Sequence, residues 1–195
     1  MNNLTPLPKK PIPGRTCAEY RDFWMKRKVW NRLQRPQHQR RLKWCADQCI
    51  GETFIDVGCA CGHSTNIMAG FHPGKWHGAD FDEKIIEAAR EFFPGIKFFP
   101  FSAVSQLYTV GAFDSVVCSE VIEHVQDDSG MVNQLWAITG KKLILTTPNR
   151  PVDDPGHLCV YGQKRLLELL DALPNKRAWT IKSIGHYWCV TAERR

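Results

Sequence analysis

The densest group of reactive side chains is Glu120, Glu123 and His124. If Glu120 begins a helical turn, Glu123 and His124 follow three and four residues on and all three share a face. Two carboxylates and an imidazole on one face suit two tasks: they bind a divalent cation, or they hold His124 as a general base. His124 titrates near neutral pH unaided, and Glu120 or Glu123 can orient its ring and stabilise its protonated form. A cation held by the same residues would instead lower the pKa of an acceptor hydroxyl directly. His157, in the loop Pro151 to Gly162, is a candidate fourth ligand or second base. The plainer readings are a loop histidine for His157 and, for Glu123 and His124, a helix start with an acid in its first turn.

A second reactive constellation lies upstream. The run Thr53-Phe54-Ile55-Asp56-Val57 has strand composition and breaks into Gly58-Cys59-Ala60-Cys61-Gly62 just before a helix start at Ser64. Such a junction lets backbone N–H groups approach a ligand, because Gly58 and Gly62 have no side chain in the way and adopt φ angles barred to other residues. After a helix from Ser64 to Ala69 and a His72-Pro73-Gly74 turn, the strand Lys75 to Ala79 ends in Asp80. An acid at the tip of the second strand of a βαβ unit lies over the ribose of a nucleoside resting on the first loop. Asp80 by itself would more commonly be a helix cap before Glu83. Together with the loop it points to a nucleoside cofactor.

The segment Phe54 to Asn149 resembles the class I S-adenosylmethionine-dependent methyltransferases, of the type 11/12 kind. The resemblance is carried by Asp56-Val57-Gly58-Cys59-Ala60-Cys61-Gly62, Gly78-Ala79-Asp80-Phe81-Asp82, Phe113 through Val125, and Thr146-Thr147-Pro148-Asn149. It implies a Rossmann-like α/β fold with a seven-stranded, mostly parallel sheet and helices on both faces. It also implies S-adenosylmethionine as cofactor, held by Asp56, Gly58, Cys59, Ala60, Gly62, Asp80, Phe81, Ser102, Ala103 and Ser119. Ser102 departs from the pattern, since the family usually has an acid there to read the adenine edge; a hydroxyl accepts without charge assistance.

Glu120-Val121-Ile122-Glu123-His124 is similar to the metal-binding Glu-x-x-Glu-His of ubiquinone-biosynthesis O-methyltransferases and small-RNA 2′-O-methyltransferases. The same pattern occurs in relatives that use no metal. The resemblance therefore implies O-methylation of a small molecule with His124 and Glu120 as catalytic candidates, and a divalent cation on Glu120, Glu123, His124 and His157 as a further option. An RNA 2′-O-methyltransferase and a non-catalytic cofactor-binding protein are the alternatives. A nicotinamide dehydrogenase fits less well, because its phosphate fingerprint wants a third glycine where His63 stands.

The elements that must position these residues alternate. Helical spacing covers Tyr20 to Gln34 and, beyond Pro36, Gln37 to Cys49; further helices are predicted after Asp82, through Ile85 to Phe92 and stopped by Pro94-Gly95, and at Asp128 to Ala137 and Gln163 to Ala172. Strands are predicted at Ile96 to Phe99, Phe113 to Cys118, Lys141 to Thr147, Trp179 to Ile184 and His186 to Ala192. Strands alternating with helices imply a mostly parallel sheet covered on both faces. At 195 residues the chain reads as residues 1–19, a loosely ordered proline-rich basic arm, followed by one domain over 20–195, with N-terminal helices at 20–51 and the core at 52–195.

The net charge of +6 is unevenly placed: residues 1–43 hold twelve Lys or Arg against Glu19 and Asp22, and the remainder is net −4. The basic segment can attract phosphate or nucleic acid, or serve as a solvated helix face. No run approaches the ~20 apolar residues of a membrane span. The eight cysteines are irregularly spaced and read as reduced and buried, with Cys45, Cys49, Cys59 and Cys61 matching no common zinc template. A soluble cytoplasmic protein is expected.

Overall fold

Successive residues of a strand face opposite ways, and the central strands of this chain bury both faces. The computed structural model describes residues 4–6, 22, 25–26, 28–101, 104–154 and 156–195. In chain order these form β1 (Leu4–Pro6), α1 (Pro36–Gln48), β2 (Thr53–Val57), α2 (His63–Phe71), β3 (Lys75–Asp80), α3 (Glu83–Phe92), β4 (Lys97–Pro100) and β5 (Phe113–Ser119). There follow α4 (Asp128–Ala137), β6 (Thr139–Pro148), β7 (Cys159–Tyr161), α5 (Gln163–Asp171), β8 (Lys176–Ile184) and β9 (Tyr187–Arg194). Short 3-10 turns occupy Val29–Gln34, Val104–Val110 and Ile122–His124.

The main sheet has seven strands in the order β4-β3-β2-β5-β6-β9-β8. All neighbouring pairs from β4 to β6 are parallel, and β9 runs antiparallel to both β6 and β8. This is the mostly parallel seven-stranded sheet that the resemblance implies. Strand order reverses between β2 and β5, which opens a crevice at their carboxyl ends.

Alternation along β2, β5 and β6 sorts the core into two layers. Ile55, Val57, Val116, Cys118, Leu143 and Leu145 face α4 and α5, whereas Phe54, Val117 and Ile144 pack with Leu42, Cys45 and Ala46 of α1 and Met68 of α2. Trp136 anchors the first layer. It is 2 % exposed, its indole N–H donates to Pro174 O at 2.8 Å, and the Arg194 guanidinium lies 4.8 Å from its ring. Trp136→Ala is expected to cost about 3–5 kcal/mol, read as a lowered urea midpoint at unchanged m.

Two local readings of the sequence give way to structure. Instead of continuous helix to Gln34, Lys28 is left-handed at φ 46° and the chain tightens into the 3-10 turn at Val29–Gln34; Pro36 then opens α1 at its first turn, where its missing N–H costs nothing. Within the loop read at 151–162, Cys159–Tyr161 forms β7 and pairs antiparallel with β1. Leu4–Pro6 belong to the segment read as a loose arm, whose residues 7–19 lie outside the described ones. The seven described cysteines are free and buried, and no helix among the described residues is long and apolar enough to cross a membrane.

Candidate active site

The first bend folds back on the neighbouring strand. Gly58 N–H and Cys59 N–H both donate to Ala79 O, at 2.8 and 3.1 Å. Gly58 (φ 82°) and Gly62 (φ 80°) are left-handed, and neither has room for a side chain: a Cβ on Gly58 would sit 2.3 Å from Val121 Cγ2, and one on Gly62 2.7 Å from the Phe98 ring. Gly58→Ala is expected to destabilise by about 1–2 kcal/mol from left-handed strain alone, measured by chemical denaturation. Ala60 is also left-handed at φ 46°, a strained conformation for a residue with a Cβ and one that clusters at ligand sites.

Asp56 and Asp80 divide the work of this cradle. Asp56 is 2 % exposed, and its Oδ2 accepts from Ser64 Oγ and Thr65 Oγ1, each at 2.8 Å. It pins the first turn of α2 beneath the bend. Asp80, 1 % exposed, accepts from Ala60 N–H at 2.9 Å and Asp82 N–H at 3.2 Å. Burial pushes its carboxyl up to about 6, against the pull of these backbone donors. A carboxylate has about four acceptor positions, so capacity remains for a ribose hydroxyl.

Other expected contacts surround the cradle. Phe81, beside Asp80, is 48 % exposed and presents an aromatic face at the strand tip. Cys59 and Cys61 are buried within the bend, with Cys61 Sγ 3.3 Å from His63 Nδ1. Trp30 stacks on His63 at 4.7 Å and packs against Ala60, Cys61 and Ile85, so the N-terminal 3-10 turn lies against the glycine bend. Ser102 and Ala103 lie outside the described residues.

At the ends of β5 and β6 the predicted trio splits. Glu120 is left-handed at φ 60° and its N–H donates to Thr146 O at 2.9 Å. It prolongs the sheet pairing and precedes the 3-10 turn, which begins at Ile122. Glu120 therefore does not start a helical turn shared with Glu123 and His124. Its Oε1 accepts from Thr146 Oγ1 at 3.2 Å and lies 4.0 Å from Arg41 Nη1. Burial pushes its carboxyl up while Arg41 pulls it back.

Arg41, which the sequence pattern did not single out, stands among these residues. It is 5 % exposed, its Nη1 donates to Ser119 Oγ and to Thr146 Oγ1, and its guanidinium lies 5.1 Å from the Tyr187 ring. The signal was present in α1: Arg41 recurs at four-residue spacing with the buried Cys45 and Cys49, on the apolar stripe rather than the solvated face. Its Nε is buried without a partner.

Glu123 and His124 meet His157 instead. Leu158 N–H donates to Glu123 O at 2.8 Å, drawing the 151–162 loop onto the turn. The His124 and His157 rings then meet edge to face at 4.5 Å, and one ligand atom from each of Glu123, His124 and His157 lies within 4.8 Å of the others. Glu123 is fully buried; burial and Glu120 push its carboxyl well above the usual range, and Thr147 Oγ1 donates to its Oε2 at 3.1 Å. His157 is pushed down to about 4 by burial and by His124. Glu123 Oε1 and His157 Nδ1 are buried without partners, which fits a hard or borderline cation with mixed O and N ligands. Of the predicted ligand set, Glu120 alone stands apart, held by Arg41 and Thr146.

Residues 54–140 match the family described as Methyltransferase domain. The chain is 26% identical over 150 residues to a probable S-adenosylmethionine-dependent methyltransferase of Mycolicibacterium smegmatis, covering 76% of this chain and 53% of that protein. It is 31% identical over 139 residues to a ubiquinone biosynthesis O-methyltransferase of Thiobacillus denitrificans, covering 67% and 59% respectively. The chain thus spans between half and two thirds of the length of these relatives. Among solved structures, magnesium protoporphyrin IX methyltransferase of Synechocystis with bound S-adenosylhomocysteine aligns with a TM-score of 0.70 at 17% identity, covering 92% of this chain and 99% of that one. An O-methyltransferase family protein of Burkholderia thailandensis aligns with a TM-score of 0.71 at 14% identity, covering 91% and 60%.

Proposed function

Since the chain belongs to the class I S-adenosylmethionine-dependent methyltransferases, we propose that it transfers a methyl group from S-adenosylmethionine to an oxygen of a small-molecule acceptor, with His124 as the base. One observation carries this reading. Val121, two residues before Glu123, packs directly on Gly58, so the turn bearing His124 rests against the cofactor bend. Bound S-adenosylmethionine supplies a methyl group on a positively charged sulfur. Asp80 would hold the ribose, the bend from Gly58 to Gly62 would supply backbone contacts, and Phe81 would offer a stacking face for the base.

Methyl transfer is an in-line displacement that needs alignment and a deprotonated nucleophile. His124 takes the proton from the acceptor hydroxyl. His157, pushed down to about 4, stays neutral at pH 7 and adds no charge against protonation of its neighbour. Calorimetry with S-adenosylhomocysteine tests the cofactor, and transfer of labelled methyl to a panel of phenols and alcohols tests the reaction. Tight cofactor binding with no turnover across the panel would leave a non-catalytic cofactor-binding protein.

A second reading is favoured by the unpartnered Glu123 Oε1 and His157 Nδ1: Glu123, His124 and His157 hold a divalent cation. Its positive charge would let Glu123 ionise and would lower the pKa of an acceptor hydroxyl. Zinc or manganese titration should show one site, and His157→Ala should weaken it by about ten-fold or more. Metal-independent turnover with no saturable binding would rule the cation out.

A further inference from the structure

Between the first turns of α1 and the tight turn joining β8 to β9 lies a groove of about 220 Å³, lined by Gln37, Arg40, Ile184, Gly185, His186 and Tyr187. It opens on the catalytic edge of the sheet, because Tyr187 pairs with Pro148 at the carboxyl end of β6. Tyr187 is also the wall between groove and site. Its ring lies 5.1 Å from the Arg41 guanidinium, which stands 4.0 Å from Glu120. Ile184 and the buried Tyr187 ring give the groove an apolar floor, suited to a carbon skeleton.

Arg40 brings a cation to the lining, and Arg32 and Arg35 add positive charge around the neighbouring His38. Among the described residues no carboxylate pairs with Arg32, Arg35 or Arg40. The N-terminus of α1 points the same way, with no side-chain cap and no acid in its first turn, so its dipole adds positive potential. His38, whose Nδ1 is 3.1 Å from the Tyr187 hydroxyl, is pushed down to about 4 by burial and by Arg41, Arg35 and Arg32. Neutral at pH 7, it leaves the tyrosine hydroxyl as a hydrogen-bonded, uncharged wall.

The geometry points to an acceptor subsite for a small molecule with an apolar body and one anionic group, a carboxylate or a phosphate. The body lies on Ile184 and Tyr187, and Arg40 and the start of α1 take the charge. Its standing as an acceptor subsite rests on methyl transfer being the activity; anion binding in the groove does not.

The test is amide NMR of the whole chain titrated with benzoate, phenyl phosphate and neutral benzyl alcohol. The expected result is saturable shifts at Gly185 and His186 with an anion, at a Kd about ten-fold or more below that of benzyl alcohol. Whichever of benzoate and phenyl phosphate binds more tightly identifies the anionic group. Arg40→Glu should weaken the anion by about ten-fold or more while calorimetric S-adenosylhomocysteine affinity stays unchanged. Ile184→Trp, which fills the floor, should abolish the shifts independently of charge. Equal binding of benzyl alcohol, or anion shifts unmoved by both variants, would overturn the subsite. Tighter, salt-sensitive binding of a single-stranded RNA oligonucleotide to the same amides would overturn it in favour of nucleic acid. Anion binding without S-adenosylhomocysteine binding would keep the groove and remove the methyl-transfer reading; the reverse would remove the groove alone.

Discussion

His124→Ala is expected to lower methyl transfer to a hydroxyl acceptor by about 100- to 10,000-fold, with S-adenosylhomocysteine affinity unchanged. The size follows from its position. The backbone N–H of His124 donates to Val121 O at 2.9 Å, and Val121 packs on Gly58, so a short turn ties the backbone of His124 to the glycine bend. In the proposed reading the cofactor is held at Asp80 and Phe81 and not by His124. Single-turnover rates separate the two effects: a variant that loses cofactor affinity in parallel with rate would assign His124 to binding. His124→Gln keeps much of the volume and the hydrogen bonding but not the basicity, so it should be as slow as alanine. A rate close to the native one for His124→Gln would show that no base is needed at that position.

Asp80→Ala should weaken S-adenosylhomocysteine by about ten- to a hundred-fold, because a hydrogen bond to a charged group contributes roughly 1.5–3 kcal/mol. Unchanged affinity would move the ribose elsewhere. The native protein carries a related pH dependence. With the Asp80 carboxyl pushed up to about 6 by burial, cofactor affinity should be level above pH 7 and decline as pH falls through 6, because the protonated acid loses acceptor capacity. Folding stability responds in the opposite sense. The folded state binds a proton more tightly than the unfolded one, so this group's contribution to stability decreases as pH rises from about 4 to about 6. Two pKa units correspond to about 3 kcal/mol, an upper bound that calorimetric unfolding across that window would measure. In Asp80→Ala the slope should lessen by this group's share, while the raised Asp56, Glu120 and Glu123 carboxyls keep theirs.

These two residues also mark what kind of information the sequence holds. Asp80 is legible because its meaning is local: a short strand ends on it, and the glycine bend precedes it by one helix. Helix α4 is read at its full extent, Asp128–Ala137, because Asp127 caps it and its apolar spacing is helical. The order of strands and helices likewise follows from patterns within windows of ten or fifteen residues. The helical turn read from Glu120 fails for the same reason, since helical spacing is a local rule and the pairing of its N–H with Thr146 O is not.

From the sequence alone come the alternation of strands and helices, the glycine bend with Asp80, and the presence of two carboxylates and a histidine after β5, all of them set by neighbouring side chains and backbone sterics. Only the tertiary structure decides that Arg41 reaches Ser119, 78 residues away, that Leu158 ties His157 to Glu123 and His124, and that Tyr187 separates Arg41 from a cationic groove. Those pairings depend on which strands lie side by side and in which register. Burial of the whole sheet fixes that choice, and no short stretch of residues encodes it.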